Sequence, residues 1–184
     1  MQKNNNGANQ DLTRFPPPPS GEKAEWPWAD KVESIPVADD AKHDWPCISI
    51  VTPSLNQGQF IEATIRSVLL QGYPNLEYII IDGGSTDGSL AVIKKYEKWL
   101  THWVSEPDRG QAHAINKGFK KAGGDIRAYI NSDDLYEPGA LFAAAQIFVN
   151  HPETQLIAGQ CVVFDENREK RIFEPWWPQS LDYY

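Results

Sequence analysis

From Cys47 onward the chain alternates between two spacings of apolar residues. "CISIVTPS" is a continuous apolar run of strand length, as a strand buried on both faces requires. "FIEATIRSVLLQG" then places Ile61, Ile65, Val68 and Leu69 at helical spacing and closes on Gly72. The pattern continues as strand "LEYIIID", helix "DGSLAVIKKYEKWL", strand "HWVSE", helix "GQAHAINKGFKKA", strand "IRAYINS", helix "PGALFAAAQIFVN" and strand "QLIAGQCVVFD". Five strands alternating with four helices predict an α/β, Rossmann-like domain over residues 47–165, with a mostly parallel sheet and helices on both faces. In such folds ligands bind beyond the carboxyl ends of the strands.

Upstream of Cys47 the pattern is lost. Residues 1–20 are rich in Asn, Gln and Pro and read as a disordered, Pro-rich arm ending in polyproline II. Residues 21–46 carry Trp26, Trp28 and Trp45 among prolines and charges, and read as an arm that covers part of the core from outside. The 184 residues carry a formal charge of -8, which argues against nucleic acid as a partner but leaves room for one small phosphorylated ligand. Cys47 and Cys161 lie in apolar runs and are expected to be buried thiols of a reducing compartment. No run reaches the length of a membrane span and the N-terminus has no signal-like core, so a cytoplasmic location is expected, with docking at a membrane surface still open.

The loops after the strands read "TPSLNQGQ", "DGGSTDGS", "SEPDRGQ" and "NSDDLYEPG". In the second, Asp82 ends a strand, glycines permit a tight turn, and Ser85, Thr86 and Asp87 are candidate helix caps. Neither a dinucleotide fingerprint nor a P-loop is present. In the fourth, Asp133 and Asp134 are adjacent carboxylates that repel unless a cation lies between them. A single aspartate there reads as a cap; two in succession suit Mg(II) or Mn(II), which takes one or two protein carboxylates and leaves positions for phosphates.

Taken in order, "ISIVTPSLNQGQFIEATIRSVLLQGYPNLEYIIIDGGSTDGS", "WVSEPDRGQAHAINKGF" and "INSDDLYEPGAL" resemble the nucleotide-binding half of family 2 glycosyltransferases, which adopt the GT-A fold. The resemblance implies inverting transfer of a sugar from a nucleotide diphosphate sugar, of UDP type, to an acceptor hydroxyl on a glycan or similar molecule. It also implies that Thr52, Pro53 and Ser54 lie against base and ribose, with Asp82 in the same nucleoside site. Arg109 would stand near phosphate or sugar, and Asn116 would fix its loop. Asp134 would be the direct metal ligand, with Asp133 contacting ribose or a metal-bound water.

Two positions depart from the family's pattern. Gly83 stands where many relatives carry a second acid that contacts the base, and Asn131 begins the family's DxD-like element. The resemblance further implies that the general base, an Asp or Glu, belongs to an acceptor half beyond the fifth strand, of which residues 166–184 read as a truncated beginning. Asp165 and Glu166 are candidates by position only, or else a hairpin-like turn, and Trp176 and Trp177 read as an aromatic plug or a sugar platform. His113 has no companion at metal-ligand spacing, and Lys94, Lys95 and Lys98 mark a solvated helix face. Two other readings remain: a donor-binding module without transfer activity of its own, and a sugar nucleotidyltransferase, whose Gly-rich phosphate loop "TPSLNQGQF" lacks.

Overall fold

The computed structural model describes residues 15–19, 26–28, 44–164 and 170–173. The apolar runs become β1 (Ile48–Ser54), β2 (Leu76–Asp82), β3 (His102–Ser105) and β4 (Ile126–Tyr129). They form one parallel sheet in the order β3-β2-β1-β4. Every residue of β1 is buried, as its position between two strands and beneath helices demands. The connecting helices are α1 (Ile61–Leu69), α2 (Ser89–Tyr96), α3 (Gln111–Phe119) and α4 (Ala140–Asn150).

The fifth strand departs from expectation. β5 (Cys161–Phe164) does not join the parallel sheet; it pairs antiparallel with β6 (Lys170–Phe173) in a separate two-stranded sheet. An apolar run announces a strand but not its partner, and the antiparallel alternative needs only a short connection. Asp165, Glu166, Trp176 and Trp177 lie outside the described residues. The expectation of two buried thiols is corrected as well: Cys161 is exposed on this small sheet and Cys47 is half-buried at the start of β1.

Alternating side chains divide the core into two layers. Ile48, Ile50, Tyr78 and Ile80 face α1, α2 and α4 through Ile61, Ile65, Ile93 and Leu141. Val51, Ile79 and Ile81 face α3 through Ala114. α3 lies close to the sheet because Gly118 has no side chain: a Cβ there would stand 2.3 Å from Val51 Cγ1.

α1 is buried on more sides than its apolar stripe requires. Arg66, only 2% exposed, is enclosed by the segments around Phe15 and Trp28. Its Nε donates to the carbonyl of Pro27 at 3.0 Å and its Nη1 to that of Pro16 at 2.7 Å. The guanidinium carbon lies 5.0 Å from the ring centre of Phe15 and 5.3 Å from that of Trp28. Phe15 meets Tyr96 and Trp99 edge-on or tilted, and Trp26 Nε1 donates to the Tyr136 carbonyl. The disordered arm expected through residue 20 is therefore corrected at Phe15–Pro19, where a buried cation collects backbone carbonyls; residues 1–14 and Ser20 lie outside the described residues. Trp45 belongs to the main core, 8% exposed.

Candidate functional site

The chain places β1, β2 and β3 outward in one direction, then returns to set β4 on the other side of β1. Loops therefore diverge at the carboxyl ends of β1 and β4, where a crevice opens. A cavity of about 350 Å³ occupies it. Its wall comes from Pro53, Ser54, Leu55 and Gln57 after β1, from Asp108, Gly110, Gln111 and Ala114 around the start of α3, and from Asn131, Ser132 and Asp133 after β4.

Of the three residues expected from the first strand, Pro53 and Ser54 line this cavity, whereas Thr52 points into the core, 3.0 Å from the Tyr78 hydroxyl. The difference is position along the strand: Pro53 and Ser54 form the carboxyl end of β1, where the crevice opens, whereas Thr52 is still flanked within the sheet. Ser54 Oγ is buried and has no hydrogen-bond partner among the described residues, an unusual condition for a core hydroxyl.

Asp82 is fully buried and does not line the cavity. Its Oδ2 accepts from the backbone N–H of Gly84 at 3.1 Å and of Ser85 at 2.9 Å, and from the Ser105 hydroxyl at 2.6 Å. Its Oδ1 accepts from the Ser85 hydroxyl. The carboxylate thus builds the loop from beneath.

The same loop is joined to the turn after β1. Asn56, with a left-handed φ of 54°, accepts from Thr86 N–H through its Oδ1 and donates its own N–H to Ser85 Oγ. Asp87 accepts from Gly58 N–H and from both the N–H and hydroxyl of Ser89, and these bonds hold its carboxyl below the usual carboxylate range. The N-cap position itself falls to Gly88, just past the last of the candidates Ser85, Thr86 and Asp87, although Asp87 still serves the first helical N–H. Sequence reasoning passed over Asn56 and Ser89; an Asn in a Gly-containing turn facing a Ser-rich loop is the signal that marks the first.

The segment before α3 is fixed by residues other than those expected. Ala114 and Gly118 are buried against the sheet, so Asn116, roughly 200° around the helix from either, points to solvent and is exposed. The segment is held instead by Lys117 Nζ, 2.6 Å from Glu106 Oε1, a pairing that holds the Glu106 carboxyl below its usual range. Asp108 Oδ1 accepts from Gly110 N–H at 2.7 Å, and His113 Nδ1 accepts from Arg109 N–H at 3.1 Å. His113 is thereby a loop anchor. The Arg109 side chain is exposed beside the wall residues Asp108 and Gly110 without lining the cavity.

Asp133 lies on the cavity wall, and Asp134, its exposed neighbour, accepts at Oδ2 from Asn131 Nδ2 at 2.9 Å. The Asn131 Oδ1 in turn accepts from Gln111, which ties the β4 loop to α3. Polar residues of α1 and of the turn just after it hold the rest of this loop: Thr64 Oγ1 donates to the Asp134 carbonyl at 2.9 Å, Ser67 Oγ accepts from Tyr136 N–H at 3.2 Å, and Gln71, past the helix end, donates through Nε2 to the Glu137 carbonyl at 3.0 Å. The i, i+3 spacing of Thr64 and Ser67 on one helix face is legible, but their partner is not. Thr64→Val should leave the fold intact at a cost of about 1 kcal/mol. The same substitution should weaken ligand binding at the Asp133–Asp134 end, measured by calorimetry beside thermal unfolding.

Among the described residues no three His, Cys, Asp or Glu side chains converge to form a metal cage. The adjacent carboxylates of Asp133 and Asp134 are exposed hard-oxygen donors at the cavity's β4 side. That donor set fits a cation of the Mg(II) or Mn(II) kind, which takes one or two carboxylates and completes its shell with water and ligand oxygens.

A four-stranded parallel sheet flanked by helices, with its cavity at the β1–β4 divergence, defines an α/β domain of the GT-A type. The chain belongs to glycosyl transferase family 2, whose family model matches residues 49–183. It is 40% identical over 99 residues to a glycosyltransferase of Bacillus subtilis (strain 168) named for teichuronic acid biosynthesis, TuaG, covering 52% of this chain and 39% of TuaG. It is 29% identical over 128 residues to a PGL/p-HBAD biosynthesis glycosyltransferase of Mycobacterium bovis (strain BCG / Pasteur 1173P2), covering 66% of this chain and 49% of the relative. The chain thus spans less than half the length of these relatives.

Among solved structures, S. aureus TarS 1-349 in complex with UDP superposes with a TM-score of 0.52 at 26% identity, over 58% of this chain and 33% of TarS 1-349. The mannosyltransferase PcManGT of Pyrobaculum calidifontis, in complex with GDP-Man and Mn2+, superposes with a TM-score of 0.51 at 26% identity, over 58% of this chain and 36% of that enzyme. No helix among the described residues is long and apolar enough to cross a membrane.

Proposed function

We propose that this chain is the donor-binding half of an inverting, metal-assisted glycosyltransferase that takes a UDP-type sugar donor and serves a glycan or other hydroxyl acceptor. The observation that carries the reading is the placement of Asp133 on the wall of the β1–β4 cavity, with Asp134 beside it and Pro53 and Ser54 across from them. UDP in TarS and GDP-Man with Mn2+ in PcManGT support it by likeness of fold.

In this reading Asp133 and Asp134 would hold Mn(II) or Mg(II), and the bound cation would supply positive charge to offset the negative charge developing on a departing diphosphate. Arg109, exposed beside the wall, swings toward the same phosphates. Asp82 acts by holding the backbone at residues 83–85 against the nucleoside end. Inversion needs a base on the far side of the sugar, which this reading assigns to the acceptor half. The location is the cytoplasm or the cytoplasmic membrane face.

Calorimetric titration of UDP, GDP and dTDP, each with and without Mn(II), tests the reading. One nucleotide should bind in a metal-dependent way, and Asp134→Ala and Asp133→Ala should each weaken it at least about tenfold, near 1.4 kcal/mol. Binding that ignores both substitutions and the metal would overturn it.

The alternative reading is a donor-binding unit without transfer activity of its own. Hydrolysis or transfer assays with the 184-residue chain separate the two.

A further inference from the structure

Gly83 donates its N–H to the Ser54 carbonyl at 2.8 Å and so sits directly behind the cavity wall. A Cβ built on it would lie 3.0 Å from Asp108 Oδ2, 3.3 Å from Asp108 Cγ and 3.5 Å from Leu55 Cδ1. The space a side chain at position 83 would fill is therefore taken by the Asp108 carboxylate, which reaches it from the β3–α3 loop. Asp108 Oδ1 is engaged by Gly110 N–H, and Oδ2 has no hydrogen-bond partner among the described residues.

The surroundings of that oxygen are apolar on one side. Pro53, Leu55 and Ala114 line the same cavity, and Leu55 is 53% exposed, an apolar shelf without a cover. Asp108 and Gly83 stand on the β2–β3 side of β1, while Asn131, Ser132 and Asp133 stand on the β4 side. Two strand spacings separate the sides, about 10 Å, which leaves room for a ribose between a base and a diphosphate. A flat ring fits the shelf, and its polar edge then meets an acceptor.

We propose that Asp108 is the base-selecting residue of this site, accepting a hydrogen bond from a ring N–H and so favouring uracil or guanine over cytosine or adenine. The inference rests on the nucleotide-binding reading above. An Asp carboxylate offers acceptors only, and uracil N3–H and guanine N1–H donate to it. Cytosine N3 and adenine N1 are acceptors, which it repels, so these bases reach it only by an exocyclic amine and only if the ring shifts from the position that suits uracil or guanine. Gly83 is part of the same device, since any larger residue displaces the carboxylate.

The test is titration of UDP, GDP and CDP with Mn(II) into wild type, Asp108→Asn, Gly83→Ala and Asp133→Ala. Wild type should prefer UDP or GDP to CDP at least tenfold. Asp108→Asn can donate as well as accept, so its preference should fall below threefold or invert toward CDP. Gly83→Ala should narrow the preference in the same direction, while Asp133→Ala weakens all three nucleotides alike. Circular dichroism and unfolding midpoints near wild type show that the loop variants are folded, as expected for a partly exposed loop. Nucleotide binding with an unchanged base preference in Asp108→Asn overturns this proposal alone. Absence of any nucleotide binding by wild type overturns it together with the reading beneath it.

Discussion

Asp82→Ala should lower unfolding stability by about 4 kcal/mol. The substitution strands two backbone N–H groups and two hydroxyls that now converge on one buried carboxylate. Each buried donor left alone costs about 1–3 kcal/mol, and hydroxyls recover part of that by turning elsewhere. Asp82→Asn should cost less, about 2 kcal/mol, because the amide oxygen can keep the three donors on the Oδ2 side and its NH2 can donate to Ser85 Oγ. Denaturant unfolding monitored by tryptophan fluorescence provides the comparison. Equal stability of Asp82→Ala and wild type would mean that the carboxylate does not hold this loop.

Gly118→Ala should be destabilising by about 2 kcal/mol despite the gain in helix propensity. The new methyl would lie 2.3 Å from Val51 Cγ1 and 2.8 Å from Cγ2, and Val51 cannot retreat because it is wholly buried in β1. α3 must shift outward, and Ala114 on the cavity wall moves with it. Gly118→Val should fail to give a folded protein in useful yield. Removing the opposing methyls isolates the clash: Val51→Ala with Gly118→Ala should be more stable than the two single losses predict, by at least about 1 kcal/mol in a double-mutant cycle. Simple additivity would place the strain elsewhere.

Apolar period and length were enough to read β1 to β4 and all four connecting helices from the sequence, because strands buried on both faces and helices with one apolar stripe leave distinct spacings. The partner of β5 was illegible, since an apolar tetrad such as Cys161–Phe164 suits either a parallel or an antiparallel neighbour. The order of the loops located the cavity, and Pro53, Ser54 and Asp133 reached its wall. The tasks of individual polar residues were less visible. Asp82 and Asp108 are both acids at a strand end or in a loop just beyond one, yet one turns inward to four donors and the other outward over a glycine. That choice is made by backbone directions set in three dimensions. Asn116 shows the converse: its position in a motif drew attention, while the helix's rotation turned it to solvent.

The enclosure of Arg66 bears on where this protein begins as a folding unit. The family's pattern starts at residue 49, but a guanidinium on one of its own helices is shielded by Phe15 and Trp28 and satisfied by the carbonyls of Pro16 and Pro27. A chain cut at the family's edge would open that helix face to water and strip the cation of its backbone acceptors while keeping every recognisable motif. The packing around this helix thus reaches more than thirty residues upstream of the edge of the family's match, and a protein shortened to that edge should unfold at lower temperature than the full chain.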